Sequence, residues 1–187
     1  YPVFAEAGIV GVRVDIRGSG ESDGLIDGEY TPRELADGCE VIDWIARQAW
    51  SNGRVGMMGI SWGGFNSLQI AALKPPALRA VISIASTVDR YNDDIHYKNG
   101  CHLSAQLSWA ATMLAYQTRP PDPALVGEHW RAMWLERLEG EHPELTLEEA
   151  RRVDAGCEQA AAPAHVVDQG VAEPFAVVPG FHTRAQA

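Results

Sequence analysis

The sequence predicts an α/β fold with a parallel sheet. Three short apolar runs of strand length, Ile9–Asp15, Val55–Gly59 and Leu78–Ile84, are separated by two segments with helical spacing of apolar residues. The connections between them are short, and strands that alternate with helices pair in parallel. These observations predict a sheet with crossover helices on its faces.

The chain is predicted to begin with a short helix over Val3–Ala7 and a strand over Ile9–Asp15. The glycine-rich loop 15–24 follows, and it could be mistaken for a dinucleotide or phosphate cradle. Its glycines lack the spacing of that motif, and the next helix starts several residues later. The interpretation we prefer is a tight turn in which Asp15 and Arg17 hold the loop.

The residues after this loop carry clear signals for the start of a helix. Thr31 is expected to cap it, Pro32 suits its first position and Glu34 suits its first turn. Apolar residues then recur at helical spacing, so the helix is predicted to run to about Trp50. The Ser-Asn-Gly turn at 51–53 separates it from the next strand.

The most informative segment is Gly59-Ile60-Ser61-Trp62-Gly63-Gly64, which follows the strand Val55–Gly59 and precedes a predicted helix from Trp62 to about Leu73. A Gly-x-Ser-x-Gly frame between a strand and a helix is the nucleophile elbow of the α/β-hydrolase fold. The turn is so sharp that Ser61 is expected to have a strained backbone. The sequence predicts Ser61 as the nucleophile and the backbone N–H of Trp62 as an oxyanion-hole donor.

Beyond the third strand the pattern becomes helical, with predicted helices over Leu103–Gln117, Pro123–Leu138 and Thr146–Val153. We therefore expect a partial α/β-hydrolase core over residues 1–88 and a helical cap segment over 89–154. An Ala- and Pro-rich tail over 155–187 stays unassigned.

Composition narrows the class of protein. The 187 residues carry a net charge of −10 and only two lysines, which argues against nucleic acid or an anionic membrane as the main partner. Three cysteines, odd in number and far apart, indicate free thiols in a reducing compartment. No apolar run approaches the length of a membrane span and the start does not resemble a signal peptide, so the expected location is cytoplasmic.

Several separated motifs together resemble one family, the CocE/NonD hydrolases, which includes cocaine esterases and X-Pro dipeptidyl-peptidases. The resemblance covers roughly residues 1–139 and rests on the glycine-rich loop, the elbow and three shorter motifs in the same order. The shorter motifs are Asp43-Trp44-Ile45 with Gln48 and Trp50, Asn52-Gly53-x-Val55-Gly56, and Pro75-Pro76-x-Leu78.

The resemblance implies a serine hydrolase that forms an acyl-enzyme on Ser61, with no cofactor or metal and with a small ester, amide or short peptide as substrate. It also implies an upstream tyrosine as second oxyanion donor, an acid and a base after later strands, and a C-terminal β domain. This chain departs from that pattern on all three points. We therefore expect an incomplete fragment with little activity of its own; specificity and oligomeric state stay open.

The tail offers one substitute for the missing acid and base. Asp168 and His182 each follow an apolar stretch, which is a better context than that of Asp154. The tail resembles nothing in the family, so the preferred interpretation of His165 and His182 is that of surface residues. Asp168 and His182 are kept as weak triad candidates.

Two other groups of residues invite a functional interpretation. Asp89, Asp93, Asp94, His96 and His102 are residue types that can bind metals, but their spacing fits no metal motif, and a structural or substrate-entry role is preferred. The tryptophans of the cap segment are predicted to be cap core, although some of them could line an acyl pocket. They are Trp109, Trp130 and Trp134.

The sequence thus predicts a serine hydrolase that cleaves acyl ester or amide bonds, X-Pro peptide bonds included, through Ser61. The alternative is a catalytically incompetent, truncated hydrolase-like fragment. A third hypothesis is a carboxylate-rich metal-binding domain, for which chelators would lower thermal stability.

Overall fold

The computed structural model describes residues 2–140 and the strand 176–179. These residues fall into two compact units, each considered by itself. The first contains residues 2–14, 32–86 and 176–179, and the second contains residues 15–31 and 87–140. The predicted helix over Thr146–Val153 lies outside the described residues.

The first unit is a parallel sheet with helices. The helices are α1 (Pro2–Glu6), α2 (Pro32–Ala46) and α3 (Trp62–Ala72), and the strands are β1 (Val55–Ile60), β2 (Leu78–Ile84) and β5 (Ala176–Pro179). The strand order is β2-β1-β5, and both neighbours of β1 are parallel to it. The α/β prediction is confirmed.

The core of this unit lies where α2 and α3 pack near β1. The side chains that are at most 5% exposed there come from all three elements. They are Ile42, Ile45, Val55, Met57, Trp62, Phe65 and Ile70. Apolar burial of this kind is the main stabilising term of a small domain.

One predicted strand is wrong. Residues 9–15 form no strand, and only Gly11 makes an isolated bridge. A strand needs a continuous ladder of hydrogen bonds with a neighbour, and the two edges of β1 are already paired with β2 and β5. The apolar pattern of Ile9–Asp15 identifies residues that suit a strand. It does not tell whether a neighbouring strand is free to pair with them.

Two helix boundaries also differ from the prediction. Helix α2 ends at Ala46 instead of about Trp50, because the Gln48 amide caps the carbonyl of Trp44 with a 2.8 Å hydrogen bond. The helix predicted over Pro123–Leu138 is broken at Gly127, which has a φ of 60°.

The second unit is mostly helical. It contains α4 (Ala105–Gln117), α5 (Pro123–Val126), a 3-10 turn (Gly127–His129) and α6 (Trp130–Gly140). A small antiparallel hairpin of β3 (Tyr97–Lys98) and β4 (Cys101–His102), which the sequence did not predict, precedes α4. Within the described part of the chain, every helix is too short or too polar to cross a lipid bilayer.

Candidate active site

Ser61 stands at the junction of β1 and α3. Its backbone has a φ of 53° and a ψ of −119°, a conformation that costs a non-glycine residue about 1–3 kcal/mol. The Ser61 N–H donates to the carbonyl of Ile84 at the end of β2 at 2.8 Å, and the Ser61 carbonyl accepts from the Phe65 N–H at 2.9 Å. The predicted strained elbow is therefore present, and hydrogen bonds on both sides hold it.

The glycines around Ser61 are required by close backbone approach. A Cβ on Gly59 would lie 2.7 Å from the Cα of Gly63 and still closer to its carbonyl group. A Cβ on Gly64 would lie 2.8 Å from the carbonyl oxygen of Ile84. Both distances are shorter than real Cβ contacts, so the strand, the turn and the helix can approach this closely only with glycine.

Trp62 is the first residue of α3 and is 5% exposed. The N-terminus of a helix concentrates backbone N–H groups and a partial positive charge, which stabilises negative charge close to its first turn. The developing oxyanion of an acyl-transfer reaction is such a charge. The Trp62 N–H therefore lies at the N-terminus of α3, directly after Ser61.

The catalytic acid and base predicted as weak candidates, Asp168 and His182, lie outside the described residues. Among the residues that the structure does describe, no side chain makes a hydrogen bond with the Ser61 hydroxyl.

A buried polar pair lies beside the elbow. Asn66 of α3 is completely buried, and its Nδ2 donates to Oε1 of Glu34 in α2 at 2.7 Å. Glu34 is only 8% exposed. The sequence indicated Glu34 as a residue of the first helical turn. Its spacing of eleven residues, about three helical turns, from the apolar Ile45 could have shown that it shares the inward face of α2.

In the second unit, Asp15 holds the glycine-rich loop as predicted. Its carbonyl accepts from the Ser22 hydroxyl at 2.7 Å, and its carboxylate accepts from the Glu21 N–H at 3.5 Å. A Cβ on Gly20, which has a φ of 53°, would clash with the Asp15 carboxylate. A tight turn thus explains the glycines of this loop.

The acidic residues of 89–102 are engaged in local contacts rather than gathered around a common point. Asp94 pairs with Arg90 at 2.6 Å, Asp93 pairs with Lys98 at 3.0 Å, and Asp89 accepts hydrogen bonds from Asn92. These Asn92 bonds lower the pKa of Asp89. In residues 2–140 and 176–179, no three His, Cys, Asp or Glu side chains are arranged to hold a metal ion.

A second polar cluster in this unit was not predicted from the sequence. Glu29 accepts a hydrogen bond from the indole of Trp109, and burial raises the pKa of Glu29 to about 7. Arg90, which lies over the ring of Tyr30 at 4.7 Å, opposes this rise. Burial lowers the pKa of His96, and Asp94 opposes that shift.

The tryptophans of the helical segment have structural contacts inside the second unit. Trp130 and Trp134 stack with ring centroids 6.0 Å apart, and the Trp134 indole donates to the carbonyl of Thr118 at 2.8 Å.

Cys39 and Cys101 are free thiols.

The model of one protein family, the X-Pro dipeptidyl-peptidase (S15) family, matches residues 2–183. The chain belongs to the X-Pro dipeptidyl-peptidase (S15) family. It is a hydrolase family, and the predicted resemblance to CocE/NonD hydrolases is confirmed.

Individual relatives agree with the S15 assignment. A putative serine esterase of Mycobacterium bovis is 38% identical over 99 residues, which are 53% of this chain and 16% of that protein. The cocaine esterase of a Rhodococcus species is 32% identical over 111 residues, which are 58% of this chain and 19% of the esterase. The chain therefore spans less than a fifth of the length of these relatives.

A solved CocE/NonD family hydrolase from Staphylococcus aureus is 28% identical. Its TM-score is 0.46, and the superposition covers 55% of this chain and 18% of that structure.

Proposed function

We propose that this chain carries the nucleophile of a serine hydrolase that cleaves acyl ester or amide bonds, X-Pro peptide bonds included. The observation that carries the proposal is the strained backbone of Ser61 between β1 and α3. Such strain persists only where surrounding structure enforces it, and it is concentrated at functional sites. Here two close-packed glycines and the hydrogen bond to Ile84 enforce it.

The proposed reaction begins at the Ser61 hydroxyl. The Ser61 Oγ attacks the carbonyl carbon of the substrate while its proton passes to a general base. The Trp62 N–H stabilises the resulting oxyanion, which collapses to an acyl-enzyme as the alcohol or amine leaves with a proton from the base. Water then attacks the acyl-enzyme by the same route, and no cofactor is needed.

The family supports the substrate class. Its name refers to X-Pro dipeptides, while the relatives named above are described as serine esterases and a cocaine esterase. Esters and X-Pro peptides both contain a carbonyl group that an activated serine can attack. We therefore propose a small ester, amide or short peptide as the substrate.

Labelling with a fluorophosphonate tests the proposal. This probe modifies a serine that a base and an oxyanion hole activate, and it needs no turnover. We therefore expect one phosphonate on the peptide that contains Ser61, even in a chain with little hydrolytic activity, and none in S61A. Circular dichroism of S61A confirms that the control is folded. A wild-type chain that is folded and stays unlabelled would support the alternative, a catalytically incompetent hydrolase-like domain.

The acid and the base are tested separately. Asp168 and His182 are the candidates that this chain offers, and each is replaced by asparagine. A loss of the labelling rate by about a thousandfold in H182N would assign His182 as the base. Unchanged labelling in both variants would require a base from elsewhere.

A further inference from the structure

The pair formed by Glu34 and Asn66 lies one helical turn from the elbow. Asn66 follows Trp62 by four residues, so the two side chains share one face of α3, together with the fully buried Ile70. This face is buried from the first residue of the helix onward. Any rotation of α3 about its axis would therefore move Asn66 and the Trp62 N–H together.

Apolar packing alone fixes such a rotation poorly, because the hydrophobic effect has no direction. A hydrogen bond has a preferred distance and angle, and a buried one is costly to break. The Asn66 amide donates to the Glu34 carboxyl at 2.7 Å across the interface between α3 and α2. On the sheet side, the Ser83 hydroxyl of β2 donates to the carbonyl of Gly64 at 2.9 Å.

We propose that Glu34 and Asn66 are positioning residues: their buried hydrogen bond sets the rotation of α3 and thereby aims the Ser61 hydroxyl and the Trp62 N–H. The inference rests on the proposed role of Ser61 as nucleophile. It assigns to Glu34 a task that apolar residues of the same size could not perform, since they would fill the space without fixing the angle of the helix.

The test exchanges the donor and the acceptor. N66D places two carboxyl groups face to face and removes the hydrogen-bond donor. E34Q/N66D restores one amide and one carboxylate, with donor and acceptor exchanged between the two helices. Its net charge equals that of the wild type. We expect fluorophosphonate labelling of Ser61 to slow about tenfold or more in N66D and to return to within about threefold in E34Q/N66D, because small misplacements of reacting groups cost large factors in rate. Labelling of N66D at the wild-type rate, or no recovery in the double variant, would overturn the proposal.

S67A is the matched control. Ser67 is equally buried on the same helix, but its hydroxyl donates to the carbonyl of Gly63 within α3 and does not reach α2. We expect S67A to lose stability while labelling within about threefold of the wild type. A loss in S67A as large as in N66D would mean that labelling only follows the stability of the helix, which contradicts a positioning role.

A second variant covers the case in which N66D does not fold. E34M/N66L replaces both partners with apolar side chains of similar size, a change that is often neutral for stability. We expect this variant to be as stable as the wild type and yet to label about tenfold more slowly. Wild-type labelling in E34M/N66L would show that the pair only fills space.

Hydrogen exchange separates this inference from the proposed function. The hydrogen-bonded amides of residues 65–70 are expected to exchange about tenfold faster in E34M/N66L than in the wild type, and at the wild-type rate in E34Q/N66D. If the wild type is not labelled but this exchange pattern appears, the proposed function fails and the positioning role holds. If exchange in residues 65–70 is the same in all variants, the positioning role fails whatever the labelling shows.

Discussion

Ser61 has a backbone conformation that glycine adopts freely and an L-amino acid only under constraint. Gly59 and Gly64 let strand and helix come together, and the hydrogen bond to Ile84 fixes the turn. The side chain at position 61 is therefore retained against a local cost. The nucleophilic role proposed for the Ser61 hydroxyl would account for this cost.

This cost can be measured by comparing S61G with S61A. Both variants lack the hydroxyl, but only glycine relieves the strain at a φ of 53°. We expect S61G to be more stable than S61A by about 1 kcal/mol, after the greater flexibility of glycine in the unfolded chain is taken into account. Urea unfolding measures the difference; an S61A variant at least as stable as S61G would show that the backbone is not strained.

Glu29 is the second residue with an unusual local environment. Its carboxyl group is buried beside Trp109, and burial raises its pKa to about 7 from an ordinary 4.5. Arg90 favours the charged form and Asp94 disfavours it, but desolvation is the largest effect. The folded state thus favours the neutral acid below about pH 7.

The pH dependence of stability follows from this shift. Because the folded pKa is higher than the unfolded one, the stabilisation by Glu29 is fully present below about pH 4.5 and is lost as the pH rises through about 7. The loss is on the order of 3 kcal/mol. Urea unfolding at pH 5 and pH 8 should show a steeper decline in the wild type than in E29Q, whose amide can still accept from Trp109; equal declines would contradict the prediction.

Among the elements, α6 has one buried side chain, which hydrogen-bonds to three other parts of its unit. Arg137 is 3% exposed and donates to the carbonyls of Arg119, Gly20 and Ser22 at 2.8 to 3.1 Å. Burial lowers the pKa of Arg137, and nearby carboxylates, Glu21 first, oppose the shift. One guanidinium thus joins the helix, the chain before α5 and the glycine-rich loop.

Removing this guanidinium should be costly. R137M leaves three carbonyl groups without this donor, and we expect a loss of roughly 2–4 kcal/mol in the free energy of unfolding. The control is R131M on the exposed side of the same helix, which should change stability by less than about 0.5 kcal/mol. Similar losses in both variants would mean that Arg137 contributes only through its charge.

At the level of elements, sequence patterns predicted the features that are determined by residues close together in the chain. Strands β1 and β2 and helix α3 were predicted almost to the residue, since period, turn residues and the elbow glycines agree there. The prediction of a strand over Ile9–Asp15 was wrong because strand pairing depends on residues that are far away in the sequence. Glu34 was assigned to a helix start because a polar residue carries no sign of a partner 32 residues away.

On the scale of the whole molecule, β1 is the central strand. It is paired with β2 on one side and with β5 on the other, and Met58 lies opposite Pro179 at the end of the second pairing. The strand that bears the elbow therefore has both edges covered. Paired edges protect a strand from joining another chain.

Proline substitutions test the pairing with β5. Successive residues of a strand direct their N–H groups to opposite sides, so one of V177P and V178P removes a hydrogen bond to β1 and the other does not. We expect the more harmful variant to lose about 1–3 kcal/mol of stability, because an acceptor on β1 is left unsatisfied, and to scatter light on heating. If neither changes the midpoint of thermal unfolding, β5 is not paired in solution.

The distance along the chain between these partners has a consequence for synthesis. β2 follows β1 closely, whereas β5 begins at Ala176, well over a hundred residues after Ile60. At about 5–20 residues per second, a ribosome needs roughly 6–25 s to make the intervening chain. The strand that precedes Ser61 therefore passes, in a nascent chain, through an interval with one edge open, when a chaperone or a neighbouring nascent chain can bind there first.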